Sequence, residues 1–415
     1  MKLLLVEDNK MLAKAIVKKV ENNVECSFDM AHNYEDATKF MDNNTYFAAL
    51  LDLCLPDAMH GEVVDYALSK KIPSIILTGL DDEATRKSFM DKPIVDYILK
   101  DGSECIDYVI ETITRLKRNE ETKIIVAEDS MPMRNLIKGV LSAYKFQVFP
   151  AAQGMEALGY LEQHPDVKLI LTDKEMPAMS GEELLKEVRK EHNKNQLGVI
   201  VLTAHGDDDT AVRMLKLGAN DFIQKPFARE NLICRVNSSL DLIYYLEKLK
   251  DSAEKDFLTK LYNRKTFFEL SAKYYSSINN DTSFAIIMVD IDKFKSINDT
   301  LGHAAGDNVI AKCSSILKEQ ARKDDIVARL GGEEFCILLK NVTKEEAVKL
   351  AVKIRSTIKA SPAMYDSKPI NFTASIGVAM GFKTYEIEEI IKNADEALYE
   401  AKNNGRDRVE IYNKD

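Results

Sequence analysis

A chain of 415 residues is too long for one hydrophobic core, so two to four domains are expected. A net charge of −10, with no helix-turn-helix or basic segment after the first 245 residues, argues against an extended DNA footprint. No apolar run approaches the roughly 20 residues of a membrane helix, and the six cysteines contain no C-x-x-C pair. The expectation is a cytoplasmic protein without membrane insertion, its thiols reduced and mostly buried.

The chain begins on a short apolar strand, Lys2 to Val6, ending in Glu7-Asp8, rather than on the longer apolar region of a signal peptide. The same device recurs at Lys123 to Ala127, ending in Glu128-Asp129. Apolar runs end at Asp52 and Asp173, at Thr78 and Thr203, and at Lys100 and Lys225. Asp8 to Asp129 and Asp52 to Asp173 are both offsets of 121 residues; the threonine and lysine pairs are each offset by 125. This is a tandem duplication. Within each unit, strands alternate with helix-period segments such as Lys10 to Glu21 and Gly181 to Glu191. That pattern reads as a doubly wound parallel α/β sheet, whose chemistry gathers beyond the carboxyl ends of the strands.

The residue types at those ends suggest phosphoryl transfer. Glu7, Asp8, Glu128 and Asp129 can hold Mg²⁺ through oxygen ligands, with Asp52 and Asp173 beside them. Asp52 and Asp173 can act as carboxylate nucleophiles. Lys100 and Lys225 supply a cation to the phosphoryl oxygens. Thr78 and Thr203 can donate a hydroxyl hydrogen bond once the group is present, and Tyr97 or Phe222 can follow the loop inward. Each unit resembles a response-regulator receiver domain. The second follows the family pattern closely, with Met176-Pro177, Gly181 and Lys225-Pro226. The first reaches Gly61 one residue late, and Asp101 follows Lys100 where the family carries proline, which leaves the placement of Lys100 open. Both are expected to be phosphorylatable, the second being the stronger switch. The resemblance implies a histidine kinase or phosphotransfer protein as partner.

From Glu230 to Glu254 there is no Pro or Gly. Leu242, Leu246, Leu249 and Ala253 make one apolar seam of a long helix, expected to pair with the same helix of a second copy. The earlier Leu232, Ile233 and Val236 suit packing on the second sheet.

Beyond the helix, Phe284 to Asp292 reads as a buried strand ending in carboxylates. Two further β-prone runs meet at Gly331-Gly332-Glu333-Glu334 as a hairpin. Acidic strand ends beside such a turn can hold a hard cation and leave room for a triphosphate. Residues 256–415 resemble a GGDEF domain in its GGEEF form. The resemblance rests on Asp256 to Arg264, Asp290 to Lys295, Asn298-Asp299, Gly302-His303 with Gly306-Asp307, Ala394 to Tyr399, and Ala401-Lys402 with Gly405-Arg406.

That resemblance implies a diguanylate cyclase, an α/β domain with a mixed sheet that condenses two GTP into cyclic di-GMP as a homodimer using Mg²⁺ or Mn²⁺. It implies Asp290, the carbonyl of Ile291 and Glu333 as metal ligands, with Glu334 a further ligand or an aid to deprotonating the 3′ hydroxyl. Lys295 and Arg329 join the catalytic set. Gly331 and Gly332 admit the nucleotide, Asn298 and Asp307 read guanine, and Lys295, Lys402 and Arg406 bind phosphates. Arg322 and Asp325 match the family's R-x-x-D product-inhibition motif. The expected organisation is a receiver at 1–118, a second at 122–245, a helical connector at 240–256 and a cyclase domain at 256–415.

Overall fold

The computed structural model describes all residues except 80–82, 91, 103, 205–207, 384–385 and 414–415. Three five-stranded sheets carry the chain. The first holds β1 (Lys2–Val6), β2 (Ser27–Ala31), β3 (Ala48–Asp52), β4 (Ser74–Thr78) and β5 (Asp96–Leu99), all parallel, in the order β2-β1-β3-β4-β5. Its helices are α1 (Lys10–Asn23), α2 (Tyr34–Asn43), α3 (Glu62–Ser69), α4 (Glu83–Met90) and α5 (Glu104–Asn119).

The second sheet repeats this topology. It has β6 (Lys123–Ala127), β7 (Gln147–Ala151), β8 (Leu169–Asp173), β9 (Gly198–Ala204) and β10 (Asp221–Lys225), in the order β7-β6-β8-β9-β10. Around it lie α6 (Met131–Ala143), α7 (Gly154–Gln163), α8 (Gly181–Glu191), α9 (Asp208–Lys216) and α10 (Arg229–Glu254). Strands β1, β3 and β4 are buried on both faces, which is why they read as unbroken apolar runs. The edge strand β2 is mostly half-buried or exposed. Each sheet separates two apolar clusters, one under each helical layer. Local sequence sets the helix starts: Asn9 accepts from the amides of Met11 and Leu12 at α1, and Ser180 with Glu183 forms a capping box at α8.

Both parallel sheets belong to one compact unit, Met1–Glu247. Inside it, α10 lies against the first sheet's α5. Asp241 accepts from Arg118 at 2.5 Å and from Arg115 at 3.5 Å. Arg229 donates to the carbonyls of Lys92 and Ile94 at 2.9 and 3.1 Å. The final helix of the second repeat and the connector are one uninterrupted helix of 26 residues. Its first half buries Leu232, Ile233, Val236, Leu240 and Ile243. Of the expected seam, Leu242 and Leu249 are 52% and 66% exposed and Ala253 is exposed, while Leu246 is half-buried, so most of it is uncovered in a single chain.

The second unit, Lys248–Asp415, is built on a mixed sheet in the order β12-β13-β11-β16-β17. These strands are β11 (Phe284–Ile291), β12 (Ile326–Gly331), β13 (Glu334–Lys340), β16 (Ala374–Gly381) and β17 (Val409–Ile411). Only β16–β17 pair in parallel. A small ribbon, β14 (Ala363–Tyr365) with β15 (Lys368–Ile370), stands apart. Helices α11 (Arg264–Ser277), α12 (Phe294–Leu301), α13 (His303–Gln320), α14 (Lys344–Ala360) and α15 (Ile387–Asn403) complete it. Strand β11 is buried at all eight positions and pairs on both sides, which holds its acidic end rigidly.

Among the described residues, no helix is long and apolar enough to cross a membrane. The thiols depart from expectation. All six are free, but only Cys313 and Cys336 are buried; Cys26, Cys54 and Cys105 are intermediate and Cys234 is exposed. The four outside the cyclase core lie at element edges or, for Cys234, on the side of α10 turned to the first receiver, where an apolar neighbourhood in sequence does not enforce burial.

Candidate functional site

Three acidic sites form at strand ends. In the first sheet, β1 delivers Glu7 and Asp8 and β3 delivers Asp52; their carboxylate oxygens lie within 4.8 Å of one another. Lys100, just beyond β5, places its ammonium 2.6 Å from Asp52 and 2.7 Å from Glu7. Its position follows from the sheet, since the Lys100 amide donates to the Thr78 carbonyl at 2.8 Å. The missing proline therefore does not displace it. Burial pushes the Glu7 carboxyl up, against the pull of Lys100. Burial also works against the Lys100 ammonium, but Asp52 and Glu7 hold it above its ordinary value.

The second sheet repeats the constellation. Glu128, Asp129 and Asp173 gather within 4.8 Å, and Lys225 lies 2.7 Å from Glu128 and 3.0 Å from Asp173. Arg134 donates to the carbonyls of Glu128 and Asp129, bracing the acidic turn. Thr78 and Thr203 are fully buried at the ends of the fourth strand of each sheet or within it, and the Thr203 hydroxyl has no hydrogen-bond partner. Tyr97 is buried, while Phe222 is half-buried with the Arg235 guanidinium 5.8 Å from its ring centre. In each cluster three carboxylates face one ammonium, which leaves two negative charges. That oxygen-rich, doubly negative pocket suits a hard divalent cation.

In the second unit, antiparallel pairing sets Asp290 directly opposite Glu334, and the Glu333 carbonyl accepts from the Ile291 amide at 3.4 Å. Cross-strand partners share one face, so the two carboxylates point the same way. The Asp290 carboxyl is pushed up to about 6, first by burial and then by the charges of Glu333 and Glu334, with Lys402 opposing. Lys402, near the end of α15, sits 2.7 Å from Asp290. Among the described residues, only the two receiver-like clusters close three acidic ligands within 4.8 Å; the Asp290 site is more open.

The hairpin is held by Arg329. Its Nε and Nη2 donate to the Gly332 carbonyl at 2.9 and 2.7 Å, and its Nη1 reaches Asp256 at 3.1 Å. Gly332 sits at φ 52°, in the left-handed region that favours glycine. On α12 and α13, Gly306 meets Asn298 closely: a Cβ there would lie 1.9 Å from Asn298 Oδ1, an oxygen that is buried without a partner. Asp307 and Lys295 are exposed. Arg406 is exposed beside a cleft of about 720 Å³ that also reaches Asp292 and Lys293. Arg322 is exposed 3.6 Å from Glu346, and Asp325 accepts from the amides of Arg322 and Lys340.

Two residues without an assigned role prove central. Asp256 accepts from Thr259 as well as Arg329, tying the entry segment to the hairpin. Its Asp-x-x-Thr spacing was the available signal. Asp292, only 7% exposed, accepts from Thr373 Oγ1 at 2.7 Å, Ser375 Oγ at 2.6 Å and the Asp407 amide at 3.0 Å. It locks the acidic end of β11 to β16 and to the turn after Arg406. Nothing local in the sequence marks that contact.

Comparison with known proteins agrees with this anatomy. The response regulator receiver domain family matches residues 3–106 and 124–237, together more than half the chain. The diguanylate cyclase GGDEF domain family matches residues 253–408. Response regulator PleD of Caulobacter vibrioides is 26% identical over 444 aligned positions, covering 95% of this chain and 98% of PleD. Diguanylate cyclase A of Treponema denticola is 38% identical over 187 residues, 44% of this chain and 50% of that protein. The chain thus spans nearly all of PleD but about half of the Treponema protein. A solved two-component system response regulator/GGDEF domain protein is 33% identical, with a TM-score of 0.52, covering 59% of this chain and 99% of that one. The chain belongs to the response regulator receiver family, in the form that carries two receivers ahead of a C-terminal GGDEF domain.

Proposed function

We propose that this chain is a diguanylate cyclase whose output is set by phosphorylation of its receivers. The observation that carries the reading is the pairing of Asp290 with Glu334 across β11 and β13, directly beside the Gly331-Gly332 turn and the Lys402 ammonium. The 3′ oxygen of one GTP attacks the α-phosphorus of a second; a P–O bond forms, the bond to the β-phosphate breaks and pyrophosphate leaves. A second round closes cyclic di-GMP. One GGDEF domain per chain supplies half of such a site, so two copies are required. The exposed seam positions Leu242, Leu249 and Ala253 support their association through α10.

Asp290, the Ile291 carbonyl and Glu333 would hold Mg²⁺ or Mn²⁺, which when bound offsets the charge of the triphosphate. Lys402, resting on Asp290, is placed to move to phosphate oxygens, with Lys295 and Arg406 as further cations. Glu334 is the carboxylate placed to add a ligand or to take the 3′ hydroxyl proton. Arg329 acts by holding the turn in shape. Asn298 Oδ1, buried and unpaired, is a ready acceptor for guanine N–H groups, with Asp307 following Gly306, the glycine packed against Asn298. Arg322 would engage the product's guanine, exchanging Glu346 for the ligand.

In each receiver Asp52 or Asp173 attacks a phosphohistidine of the partner; the N–P bond breaks and an acyl phosphate forms. Lys100 or Lys225 then faces the phosphoryl oxygens, and the unpaired Thr203 hydroxyl gains an acceptor. The test is GTP turnover with Mg²⁺, with and without beryllofluoride, resolving nucleotides by chromatography. Cyclic di-GMP that rises with the mimic is expected. Tight cyclic di-GMP binding with no product in either state would instead mark a silent receptor.

A further inference from the structure

Between the two receivers lies a cavity of about 380 Å³, walled by β5 and α5 of the first and by α10 and Tyr144 of the second. Its size corresponds to roughly a dozen waters. Four of the residues lining it carry buried polar atoms with no hydrogen-bond partner: Thr112 Oγ1, Asn119 Oδ1, Arg229 Nε and Asn237 Oδ1. Asn119 is fully buried and Thr112 is 4% exposed. Buried polar atoms are ordinarily satisfied, so four unpartnered ones around one space mark it as a place for a polar occupant. The orphans are of both kinds. Arg229 offers a cationic donor, and no carboxylate among the described residues lies within ion-pair distance of it; its terminal nitrogens donate to the Lys92 and Ile94 carbonyls, and its guanidinium lies 5.7 Å from the centre of the Tyr144 ring. Asn119 and Asn237 offer acceptors. The charged lining balances, with Arg86, Arg115 and Arg229 against Asp96, Glu230 and Asp241. Tyr108, Leu116 and Ile233 give it an apolar part.

We propose that this cavity is a binding site for a free α-amino acid. The carboxylate of such a zwitterion would take Arg229 Nε, its ammonium the two asparagine oxygens, and its side chain the apolar wall. A neutral zwitterion matches the balanced lining, whereas a simple anion or cation would leave one set of orphans unmet. The site sits where the first receiver touches the helix that runs into the cyclase unit, so its occupant would hold α5 to α10. It is independent of the reading of the cyclase site.

The test is thermal unfolding of the full chain, without nucleotide, against each standard L-amino acid at millimolar concentration. One amino acid, or a small related set, is expected to raise the melting midpoint by about 2–4 °C. Asn237→Leu, which removes an acceptor, and Cys234→Phe, which fills space at the wall, should each abolish that shift. As a measurement needing no variant, alkylation of Cys234 by iodoacetamide, read by peptide mass spectrometry, should slow at least about fivefold with the same amino acid. No shift and no protection with any amino acid, as for a cavity filled by water alone, would overturn the proposal. So would a shift that persists in both variants.

Discussion

The receiver sites and the cyclase site use similar side chains but differ in closure. Each receiver brings three carboxylates within 4.8 Å of one another and sets a lysine on them, all from three strand ends of one sheet. The cyclase unit sets Asp290 and Glu334 on adjacent strands, puts Glu333 on the turn and rests Lys402 on Asp290, without the same closure. A site finished within one chain can work alone. An open acidic face beside a glycine turn suits a substrate shared with a second copy. On the proposed function, the difference would separate input chemistry, whose acceptor site is complete within one chain, from output chemistry that depends on association.

The comparison can be broken most severely at the open site. Glu333→Gln should lower GTP turnover by about 10²–10³-fold, while Mg²⁺-dependent phosphorylation of both receivers by a small-molecule phosphodonor persists. Loss of both would tie the sites together in a way the structure does not. Next in size, Asp173→Asn should remove most of the stimulation by beryllofluoride, and Asp52→Asn less. Retained stimulation in the Asp173 variant alone would reverse the ranking of the receivers. Gly306→Ala should raise the KM for GTP about tenfold with a smaller change in kcat, because the new methyl must displace Asn298. Arg329→Ala should lower kcat by a few-fold to about tenfold and destabilise the unit by about 1–3 kcal/mol through loss of the Asp256 and Gly332 contacts. Equal kcat in that variant would show that the turn holds without its clamp.

The closed sites were more legible in the sequence than the open one. Parallel strands covered on both faces appear as apolar runs, so the residues ending those runs point to the carboxyl edge, and duplication doubled the signal. In the sequence, the lack of a following proline leaves the placement of Lys100 open. The β4–β5 ladder settles it, through the Thr78 carbonyl. The cyclase motifs were equally visible, but their supports were not. Asp256 and Arg329 meet across 73 residues, and Asp292 meets Asp407 across 115. Such polar contacts follow from strand order and turn geometry, to which periodicity is blind. The contact of α10 with the first receiver was hidden for the same reason: Arg118 and Asp241 are unremarkable helix-surface charges until the two domains pack. Apolar neighbours in sequence also overstated the burial of the thiols.

The central claim is that the cyclase site is half a site and the receivers govern its completion. Specific GTP turnover measured across a wide range of protein concentration, with and without beryllofluoride, tests it directly. The account requires turnover per chain to rise with concentration to a plateau, and the mimic to move the midpoint to lower concentration without changing the product, cyclic di-GMP. Turnover per chain that stays constant down to concentrations where sedimentation shows only monomer would contradict it.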